Sequence, residues 1–304
     1  MVTIREIIIY KNKEKIMWML LAFGSAIFAG ITTILAKCGI QKTDSTVATA
    51  MRTTIVLISS WIMVFIVGSQ FQMNLISKKS WIFLILSGIS TGASWLCYFK
   101  ALQKGDVNKV ISIDKSSVIL TILLSFIFLN EEVTIFKMIG MILIGIGTYF
   151  MNEKKNISTR QENIRRQWFL YAIGSAIFAS LTSILAKVGI HDVESTLGTA
   201  IRTSVVLIMA WLMVFLTGKK GLIKSINKKE SLFIMMSGLA TGASWICYYK
   251  ALQIGPASVI VPIDKLSILV TVLFSYFVFK ERLSKKSLLG LIFITGGTLI
   301  MLIS

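Results

Sequence analysis

The chain has 304 residues, 55% of them hydrophobic and only 15% charged, with just two prolines. That composition leaves too little polar surface to cover a globule of this size, which excludes a water-soluble protein. The 32 Lys and Arg outnumber the 14 Asp and Glu for a formal net charge of +18, but between apolar runs such charge orients a chain in a membrane and contacts anionic headgroups.

The expected partner is therefore a lipid bilayer and not a nucleic acid. One His and three Cys offer no zinc spacing and no disulfide framework, so neither a metal nor a cofactor is expected.

A hydrocarbon core about 30 Å thick requires about 20 apolar residues at helical rise. Ten runs of roughly that length follow one another, at 16–36, 46–68, 80–100, 107–129, 134–152, 167–187, 196–218, 230–250, 256–279 and 286–303. The first is too long for a cleaved signal peptide and is expected to be retained. Little lies between the runs except short basic connections, so an all-α integral membrane fold is expected. Four basic residues, Arg52, Lys115, Arg202 and Lys265, fall inside runs. Of the rest, 19 lie on the side of the central linker and 9 on the side of the two termini. The positive-inside rule then puts the linker in the cytoplasm and both termini outside. The bias comes from the second half; before the linker the count runs slightly the other way, 5 against 7.

The chain is an internal repeat. At an offset of 150, Gly24-Ser25-Ala26-Ile27-Phe28-Ala29 recurs at Gly174 to Ala179, and Thr91-Gly92-Ala93-Ser94-Trp95 recurs at Thr241 to Trp245. Lys37, Arg52, Lys100, Asp114, Lys115 and Glu131 meet identical residues in the same ungapped register, and roughly 60 of 133 paired positions are identical. Charged matches on this scale do not arise from shared hydrophobicity. The expected organisation is a first five-helix repeat over 1–152, a basic linker over 153–167 and a second repeat over 168–304. Five crossings deliver the chain to the opposite face, so the second repeat is expected to be inverted. Inverted repeats are a signature of secondary transporters, in which exchanging the conformations of the two copies moves a cavity from one face to the other.

Ionisable residues retained within apolar runs need partners or a solvated cavity. Asp114 and Asp264 lie inside the fourth and ninth runs, about 8 Å from the centre by helical rise. Each heads a polar stripe at helical spacing, Ser117, Thr121 and Ser125 in one copy and Ser267, Thr271 and Ser275 in the other, which is expected to face the bundle interior. The aspartates are either proton-binding groups or structural ion-pair partners of Lys115, Arg52 or Lys37. Pro262, two residues before Asp264, is expected to loosen that helix. In the third and eighth runs Thr91, Trp95 and Tyr98, with Thr241, Trp245 and Tyr248, form an aromatic face that either lines a cavity or anchors the helix at the headgroups. Lys37, Lys100 and Glu131 and their copies are expected to snorkel or cap, and Gly24, Ser25, Ala26, Ala29, Gly140 and Gly147 to permit close helix packing. No phosphate loop and no nucleophile with its base is present, which argues against an enzyme.

These residues resemble the drug/metabolite transporter superfamily, in particular its ten-span EamA-type members, over nearly the whole chain. The resemblance rests on Asp264-Lys265-Leu266-Ser267, Phe279-Lys280-Glu281-Arg282-Leu283-Ser284 and Gly290 to Gly297, with Asp114-Lys115-Ser116-Ser117, Leu129-Asn130-Glu131-Glu132, Gly140 and Gly147 in the first copy. It implies a gradient-dependent carrier of metabolites or drug-like compounds in the plasma membrane, with both termini in the cytoplasm, opposite to the charge count. The small four-span relatives carry a Glu in their first span; Ala22 to Lys37 contains no carboxylate, so proton coupling would fall to Asp114 and Asp264.

The residues thus predict a carrier working by alternating access, with efflux or exchange of a small-molecule substrate. The candidate binding residues are Asp114, Asp264, Arg52, Arg202, Lys115, Lys265, Trp95, Trp245, Tyr98, Tyr248, Ser117, Ser267, Thr121 and Thr271. Two aspartates against four basic residues give a positive interior, favouring anionic substrates. A monomer would suffice, because both halves are in one chain. A channel and a lipid-linked sugar flippase are the rival readings.

Overall fold

The computed structural model describes residues 4–39, 42–104, 110, 113–114, 116–151, 164–279 and 284–303, and among these every regular element is helical. The helices are α1 (Ile4–Gly39), α2 (Ser45–Val67), α3 (Lys78–Lys104), α4 (Ser117–Phe128), α5 (Ile135–Met151), α6 (Ile164–Gly189), α7 (Ser195–Leu216), α8 (Lys228–Ile254), α9 (Ala257–Lys265), α10 (Ser267–Phe279) and α11 (Lys285–Leu302). Short 3-10 segments at Ser69–Leu75 and Lys219–Ser225 follow α2 and α7. Among the described residues eight stretches are long and apolar enough to cross a bilayer, and Ser117–Phe128 and Ile135–Met151 are shorter apolar helices. Part of the expected fourth span, including Lys115, and most of the expected linker lie outside the described residues.

The repeat sets the helix ends as well as their interiors. Asp44 caps α2 by accepting from the backbone N–H of Thr46 at 2.9 Å and Val47 at 3.4 Å. Glu194 caps α7 in the same way, from Thr196 at 2.7 Å and Leu197 at 3.1 Å. Both carboxylates satisfy N–H groups that the first helical turn leaves unpaired. Gly68 and Gly218, after the two helices, adopt the left-handed conformation that only glycine takes without strain.

The most extensive helix interfaces join one half of the chain to the other. α1 packs on α8 and α6 on α3; α2 packs on α7 and α5 on α11; α10 lies on α1 and α4 on α6. The α5–α11 contact is a glycine seam. A Cβ at Gly147 would meet the Gly290 carbonyl oxygen at 2.6 Å, and one at Gly140 the Gly297 carbonyl oxygen at 2.6 Å. Side chains such as Ile58, Phe65, Ile208, Phe215, Leu216 and Ile292 are exposed. On a protein embedded in lipid, those rings and branches face acyl chains and need no protein partner.

The expected loosening beside Asp264 takes a different form. α9 contains Pro262 and continues to Lys265; the chain then tightens by one 3-10-type turn, Leu266 N–H donating to the Ile263 carbonyl at 2.9 Å, before α10 begins. Ser116 N–H makes the equivalent bond to Ile113 at 3.0 Å, although position 112 is Ser and not Pro. The break belongs to the repeat, so the proline is not its cause.

Polar contacts gather at the two ends of α8, which by helical rise are about 40 Å apart. At its start, Glu230 accepts from the Thr43 hydroxyl at 2.5 Å and the Lys42 backbone N–H at 3.2 Å, and Lys219 pairs with Asp44 at 2.7 Å. At its finish, Gln253 donates to the carbonyls of Ile190 and Val193 at 2.6 and 2.7 Å. There Lys187 donates to the Gly255 carbonyl and pairs with Glu131 at 3.4 Å. Partial burial would raise Asp44, but the hydrogen bond and charge of Lys219 and the two backbone donors outweigh it and hold the carboxyl below its ordinary range. A depressed folded-state value means that this contribution is complete above the ordinary carboxylate range and is lost as pH falls through the depressed value. Asp44→Asn is expected to lower the melting temperature at pH 7 and to shrink that difference on acidification below about pH 4, as read by thermal melts in detergent.

Candidate functional site

The interior of the bundle is built twice from the same motif residues. Ser25, in the first copy of the Gly-Ser-Ala-Ile-Phe-Ala motif on α1, donates to Asp264 Oδ1 at 2.7 Å. Ser244 Oγ, from the Thr-Gly-Ala-Ser-Trp motif on α8, lies 3.1 Å from Ser25 Oγ and 3.1 Å from the Ser25 carbonyl oxygen. In the other half Ser175 donates to Asp114 Oδ1 at 2.7 Å, and Ser94 Oγ lies 3.3 Å from Ser175 Oγ and 3.1 Å from its carbonyl oxygen. Each aspartate is therefore held by a helix of the opposite half. Neither makes an ion pair with a described residue; of the ion-pair partners weighed for Asp114, Arg52 and Lys37 do not hold it, and Lys115 lies outside the described residues. Sequence reasoning assigned Ser25 to packing and overlooked Ser94, Ser175 and Ser244, although all four sit in the segments the repeat preserves without change.

The polar stripe faces inward as expected. Ser117, Thr121 and Ser125 are buried, at 8%, 2% and 0% exposure. Thr121 bonds to the Ser117 carbonyl at 2.8 Å and Ser125 to the Ile122 carbonyl at 2.8 Å. Ser267 and Thr271 are half-buried, Thr271 bonding back to the Ser267 carbonyl at 3.0 Å. These hydroxyls satisfy themselves on their own helices and leave their lone pairs to the interior. Lys265 is exposed, and the Ser275 side chain lies outside the described residues.

The aromatic faces separate into two roles. Tyr248 is buried and its hydroxyl lies 2.9 Å from Ser183 Oγ. Trp245 and Tyr249 flank the Arg202 guanidinium, with ring centroids 5.1 and 4.5 Å from its central carbon. Arg202 is 1% exposed, donates from Nη2 to Thr91 Oγ1 at 2.7 Å and from Nε to Ser87 Oγ at 3.2 Å, and its Nη1 has no hydrogen-bond partner. Trp95, Tyr98 and Arg52, at the matching positions, are half-buried. Arg52 lines a small cavity of about 80 Å³ with Ala36, Ser45, Ala48, Thr49, Ile234 and Ser237. Tyr249 was not among the expected residues, because position 99 is Phe and the repeat does not mark it.

The finish of α8 is closed around Glu131, which accepts from the backbone N–H of Ala257 at 2.6 Å and Ser258 at 2.9 Å in addition to its ion pair. Burial would raise this carboxyl, but the Lys187 charge and the bonds from Ser258 and Ala257 outweigh it and hold it below the ordinary range. Glu131 thus caps α9, one of the two roles expected of it, and in addition ties that helix to α6. Glu131→Gln keeps the shape and removes the charge. It is expected to cost about 1.5 to 3 kcal/mol at neutral pH, visible as a lower melting temperature.

A protein-family model described as the EamA-like transporter family matches residues 16–153 and again 166–303. An uncharacterised transporter from the cobO 3' region of a Sinorhizobium species is 40% identical over 136 residues, covering 45% of this chain and 96% of the relative. An uncharacterised protein of Methanocaldococcus jannaschii is 27% identical over 136 residues, covering 42% of this chain and 90% of that protein. Both relatives are therefore about the length of one repeat. A protein of known crystal structure superposes with a TM-score of 0.75 at 15% identity, over 93% of this chain and 96% of that one, and so shares its fold. With both halves matched by one family model, the chain belongs to the EamA-like transporter family: it is a multi-pass membrane transporter of small substrates.

Proposed function

We propose that the chain is a secondary-active carrier of the plasma membrane that works by alternating access. It crosses the bilayer ten times as two inverted five-helix repeats, 1–152 and 168–304 about a basic linker, and effluxes or exchanges small metabolites or drug-like compounds. Inversion is supported by the contacts of α8: the C-terminal end of α1 meets its start, and the C-terminal end of the equivalent helix α6 meets its finish. The observation that carries the reading is the unequal closure of the two equivalent ends. Residues Ser195 to Thr203 of α7 are all buried, whereas at matching positions Ser45 of α2 is exposed and Thr49 and Arg52 are half-buried. A duplicated protein open at one end and sealed at the other is in one of two mirror-related states, and exchanging the conformations of its halves yields the other. A continuous pore would leave both ends open, which the buried start of α7 opposes.

Loop charge assigns the open end, on the linker side, to the cytoplasm. Asp114 and Asp264 are the proton sites, each released from or held by its serine as α1 and α6 shift. Flux of candidate metabolites into proteoliposomes, with and without an imposed pH gradient, tests the proposal. Saturable flux that responds to the gradient supports it, and ion-rate conductance in planar bilayers would replace it with a channel.

A further inference from the structure

The two arginines in the membrane interior are chemically alike and structurally opposite. Among the described residues Arg202 has no carboxylate partner: two hydroxyls and two aromatic rings hold it, and one buried nitrogen has no hydrogen-bond partner there. Hydroxyls and ring faces stabilise a guanidinium without neutralising it, so the arrangement is a tether with unused donor capacity. Arg52 has no hydrogen-bond or ion-pair partner among the described residues and borders a cavity that also carries the hydroxyls of Ser45, Thr49 and Ser237. The partners that would tether it exist: Ser237, Thr241 and Trp95 correspond to Ser87, Thr91 and Trp245. Ser237 bonds to the Thr32 carbonyl at 3.1 Å and Thr241 lies 3.3 Å from Thr32 Oγ1, just as Ser87 and Thr91 contact Thr182 at 2.8 and 3.3 Å, so the hydroxyls stand alike in both halves and only the arginine's engagement differs. A guanidinium with five N–H donors and no acidic side chain paired to it among the described residues is complementary to an anion; the Thr49 and Ser237 hydroxyls beside it donate to the carbonyls of Ser45 and Thr32, so the charge of Arg52 carries that complementarity. The cavity, at about 80 Å³, has room for one anionic group and not for a whole metabolite.

We infer that Arg202 and Arg52 are a pair of alternating locks: an arginine tethered to its serine, threonine and tryptophan seals its end of the bundle, and the untethered arginine binds the carboxylate, or an equivalent oxyanion, of the substrate. This rests on the two-ended reading above and names the substrate class that such a carrier takes. Substrate held by Arg52 keeps that arginine from its own tether. In the mirror state Arg202, freed from Ser87 and Thr91, presents its unused nitrogen to the same anionic group. Binding and gating then draw on one set of donors, which prevents both ends from opening at once.

The test is thiol accessibility in full-length protein with Cys38, Cys97 and Cys247 replaced by Ala. Thr49→Cys reports the open end and Thr199→Cys the sealed end, both labelled with a small water-soluble methanethiosulfonate. In the parent, Thr49→Cys is expected to react at least tenfold faster. Ser87→Ala with Thr91→Val, which removes the tether without deleting the charge, is expected to raise Thr199→Cys labelling at least tenfold, as is Arg202→Gln. Formate, benzoate or phosphate, added as sodium salts at matched ionic strength, is expected to slow Thr49→Cys labelling at least threefold, with protection abolished by Arg52→Gln. Equal labelling at the two ends of the parent sinks the two-ended reading itself. Unequal labelling that the tether variants leave unchanged overturns the lock alone. Absence of protection by all three anions, or protection that survives Arg52→Gln, overturns the anion site.

Discussion

Replacing both membrane aspartates, Asp114→Asn with Asp264→Asn, is expected to reduce pH-gradient-driven flux by more than tenfold while leaving the melting temperature within a few degrees of the parent. The asparagine oxygen still accepts the 2.7 Å bond from Ser175 or Ser25, so the geometry survives and only the ability to ionise is lost. If the double variant responds to a pH gradient as the parent does, these residues are not the coupling groups. Ser25→Ala and Ser175→Ala are expected to have smaller effects, about two- to tenfold. The carboxyl remains in place but is less well positioned once its hydroxyl donor is gone. The single aspartate variants separate the halves. If one copy binds the transported proton and the other only mirrors its architecture, flux will fall in one of them and not in both.

The second large effect concerns the seam between α5 and α11. Gly297→Ala is expected to destabilise the protein by about 1 to 3 kcal/mol, because the added Cβ would stand 2.8 Å from the Gly140 carbonyl oxygen and 2.9 Å from Leu143 Cβ. The neighbouring Gly296→Ala is expected to be neutral or to stabilise by up to about 1 kcal/mol, as alanine does over glycine in an unobstructed helix, since no atom lies within 4 Å of its added Cβ. Combining Gly147→Val with Gly290→Val, on opposite sides of the same contact, should prevent the two helices from meeting at all and abolish recovery of folded protein. Melting curves of the purified variants in detergent decide the matter: equal effects at 296 and 297 would mean that backbone contact does not set this interface. Lipid offers little driving force for helix association, so close packing of this kind carries much of the stability.

The glycines also show how far a residue pattern reaches. Spacing alone marked Gly140 and Gly147 as packing positions, and the polar stripe from Ser117 to Ser125 as an inward face; both follow from helical period and hold whatever the neighbours are. What each face meets does not follow. For the aspartates an ion pair with a nearby basic residue was one of two readings, because a charge in hydrocarbon demands compensation. The chain compensates them with serines of the opposite half, Ser25 and Ser175, which in sequence read as small residues suited to helix contact. Likewise, Arg52 and Arg202 are indistinguishable in sequence, each seven residues into its helix and followed by Thr, yet one is tethered and fully buried while the other borders a cavity. No local signal separates them, since their burial and partners are set by how the helices of the two halves meet.

Composition, run length and the 150-residue offset determined by themselves that this is a membrane protein made of helices, that its halves are copies and that each copy keeps polar residues inside its apolar runs. Those features depend on hydrophobic transfer and helical period, both of which act locally along the chain. The tertiary structure alone decided which half supplies the partners of each polar residue, and that Arg202 and the start of α7 are buried while Thr49 and Arg52, at equivalent positions of α2, are half-buried. Pairing between residues some 60 to 240 positions apart depends on how helices cross. How helices cross is a property of the folded bundle and of no single segment, so these partners are carried by the fold and not by the local residue pattern.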